Sequence, residues 1–154
     1  MRAYFFLLSI SLFFSCNQNV VFEEYIDFKD NYWHTDSLVT FNNFLLDSSV
    51  NYQVVLSLRH SVDYEYQNIF LFSETDFLND TIEVYLCDKK GKWFGRGLGD
   101  VREVKIDITN INDKTVKKSK KLIFEQSMRY GANEEMEKLK HIHSIGLTIL
   151  KKHE

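Results

Sequence analysis

The amino-acid sequence predicts an all-β fold, a single antiparallel β-sandwich of the immunoglobulin-like or jelly-roll-like kind. Apolar and polar residues alternate along several short segments, as in strands that turn one face to a core. Clusters of Asn, Asp, Ser and Gly separate these segments at a spacing of about ten residues, which is typical of sandwiches and barrels. Because helical segments do not alternate with the strands, the pattern excludes a parallel α/β sheet.

The expected elements differ in how regular their patterns are. The alternation is cleanest in five segments, at residues 52–59, 81–87, 102–108, 122–128 and 145–150. Three less regular strands are expected at residues 20–28, 37–46 and 68–73. Residues 133–142 instead favour one or two turns of helix, because Asn133 can cap them and Glu134 and Glu135 suit a first turn.

The start of the chain is typical of a cleaved signal. Arg2 precedes an apolar run at residues 3–14, which is too short for a bilayer span because spanning takes about 20 residues. The run ends at Ser15 and Cys16, which resemble a bacterial lipobox, although Phe13 stands where leucine is usual. In a lipobox the cysteine is acylated and becomes the new N-terminus. The alternative is an ordinary secretory signal in which Cys16 is incidental.

These features divide the chain into a lipoprotein signal peptide at 1–15, an acylated N-terminus and short linker at 16–20, and a β-sandwich domain at 21–154. A chain of 154 residues suits one domain, and a net charge of −3 gives no reason to expect nucleic-acid binding. If Cys16 carries lipid, Cys87 has no disulfide partner, and we expect its thiol to be buried.

The chain contains no convincing chemical motif. His141, His143 and His153 do not supply a convergent ligand set, so we expect no metal and no cofactor. Four glycines lie between Gly91 and Gly99, but a phosphate-binding loop needs a following helix and a strand pattern follows here. We therefore expect a hairpin whose glycines occupy positive-φ or bulge positions. No serine or cysteine nucleophile lies in a recognisable motif.

Two further features leave alternatives open. The aromatic side chains of Trp33, Tyr64, Tyr66 and Trp93 can either fill the core or form a sugar-stacking platform, which would make the protein a lipid-anchored carbohydrate-binding module. The five lysines at residues 114–121 suit a solvated loop, or else contact anionic headgroups or an acidic partner.

Several segments together resemble a known family. After the lipobox cysteine come residues 31–33 (NYW), 58–72 (LRHSVDYEYQNIFLF), 80–83 (DTIE), 91–97 (GKWFGRG), 125–129 (EQSMR) and 145–147 (IGL). In this order and spacing they resemble the gliding-motility lipoprotein family GldH of Bacteroidota. The resemblance implies a non-enzymatic outer-membrane lipoprotein of the gliding machinery, which is linked to type IX secretion. It implies acylation of Cys16 and supplies no catalytic residues.

The resemblance also implies partners among the envelope proteins of motility or secretion, with the membrane contacted through acyl chains. Surface export of such lipoproteins is associated with charge just after the cysteine. Residues 17–19 are uncharged, so we expect the periplasmic face of the outer membrane.

A partner surface is expected at the hairpin 92–100. Trp93, Phe94 and Arg96 lie there among glycines, and aromatic and Arg side chains often form the centres of interfaces. Tyr64 and Tyr66 precede another strand and are expected at the same end of the sandwich. The alternative is that Trp93 folds back as a lid over the core.

Overall fold

The computed structural model of the chain describes residues 19–75, 79–109, 121–131 and 134–152. The expected signal peptide, Cys16, most of the lysine run and His153 lie outside the described residues. In the described part of the chain, no helix has the length and apolarity that a bilayer crossing requires.

Eight strands form two four-stranded sheets in which every pair is antiparallel. The first sheet has the order β1-β12-β4-β7, with bounds β1 Val20–Asp27, β12 Ile142–Lys151, β4 Tyr52–Ser61 and β7 Val101–Asp107. The second sheet has the order β3-β8-β5-β6, with bounds β3 Val39–Asn42, β8 Lys121–Gln126, β5 Asn68–Thr75 and β6 Asn79–Tyr85. The all-β prediction is confirmed.

The pairing decides between the two sandwich types. When the eight strands are taken in chain order, the first pairs with the eighth, the second with the seventh, the third with the sixth and the fourth with the fifth. This nested order is that of one long hairpin rolled into two sheets, which is a jelly roll.

The prediction of helix at 133–142 is wrong for residues 134–142, while Asn133 lies outside the described residues. Glu134–Glu135 form strand β10, which pairs with β9 (Arg129–Tyr130), and Lys138–Lys140 form β11. Strand β11 pairs with β2 (Tyr32–His34), which follows a 3-10 turn at Lys29–Asn31. In β11 the buried Leu139 lies between exposed lysines opposite Trp33, so the alternation of a strand describes it better than a helical stripe.

The core lies between the two sheets and consists of the alternating apolar side chains that the sequence identifies. Val54, Leu56 and Leu58 of β4 face it from the first sheet, and Ile69 and Leu71 of β5 face it from the second. Burial of such side chains is the main favourable contribution to folding.

The strands run between two ends of the sandwich. At the proximal end β1 begins, and the backbone N–H of Lys151 donates to the carbonyl of Asn19 at 2.8 Å. At the distal end the N–H of Ser61 donates to the carbonyl of His141 at 2.9 Å. Strand β4 has ten residues and connects the two ends, which places them about 30 Å apart.

Candidate functional site

The glycine-rich connection between β6 and β7 lies at the distal end and follows the expected pattern. Gly91, Gly95 and Gly99 have φ values of 80°, 80° and 61°, which L side chains rarely adopt. A Cβ on Gly95 would lie 2.1 Å from the carbonyl oxygen of Glu103, so a glycine is required where the loop approaches β7. The connection leads into strand β7 and not into a helix, as the strand pattern predicts. The expected hairpin is not formed, because β6 and β7 belong to different sheets and the segment instead links the two sheets.

Trp93 packs inwards from this loop. Its half-buried ring lies 4.9 Å, centroid to centroid, from the imidazole of His60, and it packs against the core. The lid alternative therefore describes Trp93 better than a fully exposed anchor. The buried Tyr64 ring lies 6.1 Å from the same imidazole, and Tyr66 contacts Tyr64 edge-on at 5.6 Å. The structure thus brings Trp93, Tyr64 and Tyr66 together at one end.

Phe94 and Arg96 point away from this cluster and line an open groove. The groove has a volume of about 770 Å³ and lies between β6 and β7, the edge strands of the two sheets. Its apolar lining includes Tyr85, Phe94 and Ile106, and exposed fractions of 58% for Tyr85 and 43% for Phe94 leave both rings accessible. We call this feature the β6–β7 groove. Sequence reasoning missed Tyr85, although its outward position in the alternation of β6 predicts its exposure.

One wall of the groove is an unfilled strand edge. Glu103 and Arg96 exchange both backbone hydrogen bonds, at 2.8 and 3.1 Å, so the amide and carbonyl of Glu103 point away from β4. Because this direction alternates along a strand, the backbone amide and carbonyl of Lys105 point the same way. Among the described residues neither of these Lys105 groups has a backbone partner. Such an edge can accept another strand.

Charged side chains surround the groove, and one of them, Glu103, is already bound by neighbouring side chains. The carboxylate of Glu103 accepts from Arg59 Nε at 3.0 Å and from the Tyr25 hydroxyl at 3.1 Å, and Lys105 Nζ lies 3.7 Å away. The guanidinium of Arg59 also lies 4.3 Å from the centre of the Tyr25 ring. Since Glu103 is held by three partners, it is a structural carboxylate of the outer sheet face.

The imidazole of His60 is fully buried under this end of the fold. Its Nδ1 lies 2.9 Å from the carbonyl oxygen of Ser61, while Nε2 has no hydrogen-bond partner in the described part of the chain. Burial lowers the pKa of His60 below its ordinary value, and the hydrogen bond with the Ser61 carbonyl opposes this effect. The nearby Arg102 and His143 lower the pKa a little further.

The structure places His141 and His143 around the irregular start of β12. His141 lies in a turn with φ of 65°, and an irregularity in β12 separates His143 from the regular strand face. In the ranges that the structure describes, no group of three or more His, Cys, Asp or Glu side chains is placed to hold a metal ion.

The predicted burial of Cys87 is confirmed. The residue is 5% exposed, and its thiol forms no disulfide. Burial raises the pKa of the Cys87 thiol, and the charge of Asp88 raises it further, so the reactive thiolate is disfavoured.

The four aromatic side chains considered for a sugar-stacking platform do not share an exposed surface. Trp33 is fully buried and stacks on Phe28 with 4.7 Å between ring centroids, and its Nε1–H donates to the carbonyl of Ser37. Tyr64 is only 4% exposed. Trp33 and Tyr64 belong to the core, and Tyr66 and Trp93 pack against it half-buried. Removing the large apolar area of these rings from water stabilises the fold.

Comparison with known proteins identifies the family. The family model of GldH lipoproteins matches residues 20–149. The "Gliding motility lipoprotein GldH homolog" of Christiangramia forsetii is 37% identical over 108 residues, which cover 67% of this chain and 65% of that protein. The "Gliding motility lipoprotein GldH" of Flavobacterium johnsoniae is 35% identical over 105 residues, covering 65% of each.

These alignments span about two thirds of the length of both relatives, with 65% of each covered. The family match includes both sheets, the glycine-rich connection and the β6–β7 groove. Because this match covers more than half of the chain, the protein belongs to the GldH family of gliding motility lipoproteins.

Proposed function

We propose that this lipoprotein is a non-enzymatic assembly component of the gliding motility machinery that is linked to type IX secretion. In this role it binds another envelope protein through the β6–β7 groove. The observation that carries the proposal is the groove itself, where exposed aromatic rings and Arg96 surround an unfilled strand edge. Aromatic and Arg side chains at a concave site are typical of protein interfaces.

The absence of an enzymatic role is part of this proposal. The groove carboxylate Glu103 is held by Arg59, Tyr25 and Lys105, an arrangement that suits a fixed ion-pair network more than proton transfer. The thiol of Cys87 is buried and has a raised pKa, which disfavours its use as a nucleophile. The names of the related proteins describe motility and no reaction.

We place the protein on the outer membrane, anchored through acyl chains on Cys16 and facing the periplasm. Membership of a lipoprotein family supports the lipid anchor. The uncharged residues 17–19 favour the periplasmic face. Protease added to intact cells should leave the protein undigested, and rapid digestion would contradict this orientation.

The edge of β7 suggests how a partner binds. An extended segment of another protein can pair with the outward amide and carbonyl of Lys105 while its side chains contact Phe94, Tyr85 and Ile106. In this mode backbone hydrogen bonds supply affinity and the aromatic wall supplies specificity. Arg96 would then favour a partner segment that carries a carboxylate.

Photo-crosslinking in living cells tests the proposal. A photoreactive amino acid in place of Phe94 should give a discrete crosslinked product with an envelope protein, and Arg96→Glu should abolish it. Leu98 supplies the matched control, because it is 93% exposed in the same connection but does not line the groove. Identical products from positions 94 and 98, or products that survive Arg96→Glu, would contradict the proposed docking site.

A further inference from the structure

We infer that one corner of the proximal end rests on the surface of the bilayer and so fixes the orientation of the domain. This proximal corner consists of Val21, Leu45, Lys151 and Lys152. The inference rests on the proposed acylation of Cys16 but goes beyond it, since a lipid anchor alone leaves the orientation of the domain free. Its ligand is a membrane surface that contains anionic headgroups.

The length of chain before the domain holds this corner close to the bilayer. Cys16 precedes Asn19 by three residues, which reach at most about 11 Å. The carbonyl of Asn19 accepts from the backbone N–H of Lys151 at 2.8 Å, so the chain leaves the domain beside the end of β12. A connection this short brings the surface around Asn19 within reach of the headgroups.

Leu45 supplies an apolar contact at this corner. It is 87% exposed, although the neighbouring Phe44 is buried and packs edge-on against Phe22 with 5.4 Å between ring centroids. The connection that carries Leu45 is tied to the domain, because the hydroxyl of Tyr52 accepts from the N–H of Asp47 at 3.1 Å. The fold therefore presents a leucine to the surroundings, and transfer of such a side chain into a bilayer interface is favourable.

Lys151 and Lys152 supply a polar contact beside it. Both side chains are exposed, and the backbone N–H of Lys152 donates to the carbonyl of Asn51 at 2.9 Å, next to the connection that carries Leu45. Long lysine side chains at an interface can place their ammonium groups among anionic headgroups while their stems cover apolar surface. Asp47 lies close enough to Lys151 to offset part of that charge.

Asp107, at the end of β7, likewise lies close enough to Lys152 to offset part of its charge. Two further acidic residues of the proximal end lie away from this corner. Glu74 belongs to β5 and Asp80 to β6, whereas the corner is formed by β1, the end of β12 and the connection from β3 to β4. Edge strands β1 and β7 are separated by three strand spacings, or about 14 Å. Contact at the corner therefore leaves the β6–β7 groove on the opposite lateral edge, open to a protein partner.

Fluorescence quenching in vesicles tests this orientation. The acylated full-length variants Leu45→Cys and Leu98→Cys, each labelled with an environment-sensitive dye, are reconstituted into vesicles of phosphatidylethanolamine and phosphatidylglycerol. The two positions are matched in exposure, at 87% and 93%, and lie at opposite ends of the domain. Spin-labelled lipids should quench the dye at position 45 about threefold more than at position 98. Wild type measures background labelling of the buried Cys87.

A charge reversal extends the test. The double change Lys151→Glu and Lys152→Glu should reduce quenching at position 45, and high salt should do the same in the parent protein. Incorporation of labelled palmitate, measured in parallel, separates two failures. If palmitate enters the protein but positions 45 and 98 are quenched equally, the corner contact is wrong while the anchor stands. If palmitate does not depend on Cys16, both the anchor and the inference are overturned.

Discussion

The ring of Tyr25 covers Gly146, its partner across the β1–β12 pair, and leaves no room for a side chain there. A Cβ built on Gly146 would lie 2.5 Å from two ring carbons of Tyr25. The same tyrosine donates its hydroxyl to Glu103 and lies under the Arg59 guanidinium. The glycine in the middle of a central strand is therefore explained by the close approach of an aromatic ring.

We predict that Gly146→Ala destabilises the protein by about 1–3 kcal/mol, because the added methyl must displace the Tyr25 ring. Urea denaturation followed by tryptophan fluorescence measures this free energy of unfolding. In a Tyr25→Ala background the same substitution should cost much less, which a double-mutant cycle detects. An equal cost in both backgrounds would show that the ring is not the cause.

Trp93 and Arg96 should separate stability from binding. We predict that Trp93→Ala lowers the free energy of unfolding by about 2–3 kcal/mol, because a large, half-buried ring and its contact with His60 are lost. Arg96→Glu changes an exposed side chain and should alter stability by less than about 0.5 kcal/mol. Thermal unfolding of both variants is the measurement, and an unfolded Arg96→Glu would invalidate its use in crosslinking.

The role of the β7 edge in partner binding can be tested by a substitution that leaves the core unchanged. We predict that Lys105→Pro abolishes the crosslink from position 94, because proline removes the outward N–H and blocks an incoming strand. The bonds between β7 and β4 should survive, since the N–H of Lys105 points away from β4.

Lys105→Ala is the matched control for this edge. It removes the ammonium near Glu103 but keeps the backbone N–H, so crosslinking should continue. Circular dichroism establishes that both variants are folded. If Lys105→Pro is folded and crosslinks as wild type does, partner binding does not use the edge of β7.

Stability should fall as the pH falls through the range in which histidine titrates. The pKa of His60 in the folded protein lies below the ordinary value of 6.5, chiefly through burial. The unfolded chain therefore binds a proton more readily, so the contribution of His60 is complete above about pH 6.5 and is lost below it.

Denaturation at about pH 7 and about pH 5 measures this loss, and His60→Phe should reduce its size. The relevant quantity is the difference between wild type and variant at each pH. If that difference is the same at both values, protonation of His60 does not contribute to the pH dependence of stability.

Much of the fold could be predicted from the sequence because the side chains of a strand alternate between the core and the solvent. In β4 the alternation of Val54, Leu56 and Leu58 with more polar neighbours identifies both the strand and its buried face. The ribbon of β2 and β11 could not be predicted in this way. Its central pair, Trp33 and Leu139, joins residues far apart in the chain, and three-residue strands are too short to show a period.

The candidate site was predictable only in part. The glycine-rich connection and its aromatic residues stand out in the sequence, and they were the reason to predict a partner surface at Trp93, Phe94 and Arg96. That Trp93 packs inwards against His60 while Phe94 stays exposed depends on contacts between residues far apart in the chain, which the local sequence does not show. The groove itself forms where edges of two different sheets meet, so it follows from the order of strands and from no local pattern.

The pairing of the first strand with the last constrains the order of events during export. A secreted chain emerges with its N-terminus first, yet among the described strands β1 pairs only with β12. Closure of the first sheet must therefore await the final strand. Such long-range pairing slows folding. Loss of residues 142–151 would leave both β1 and β4 with unsatisfied edges, which invite aggregation instead of assembly.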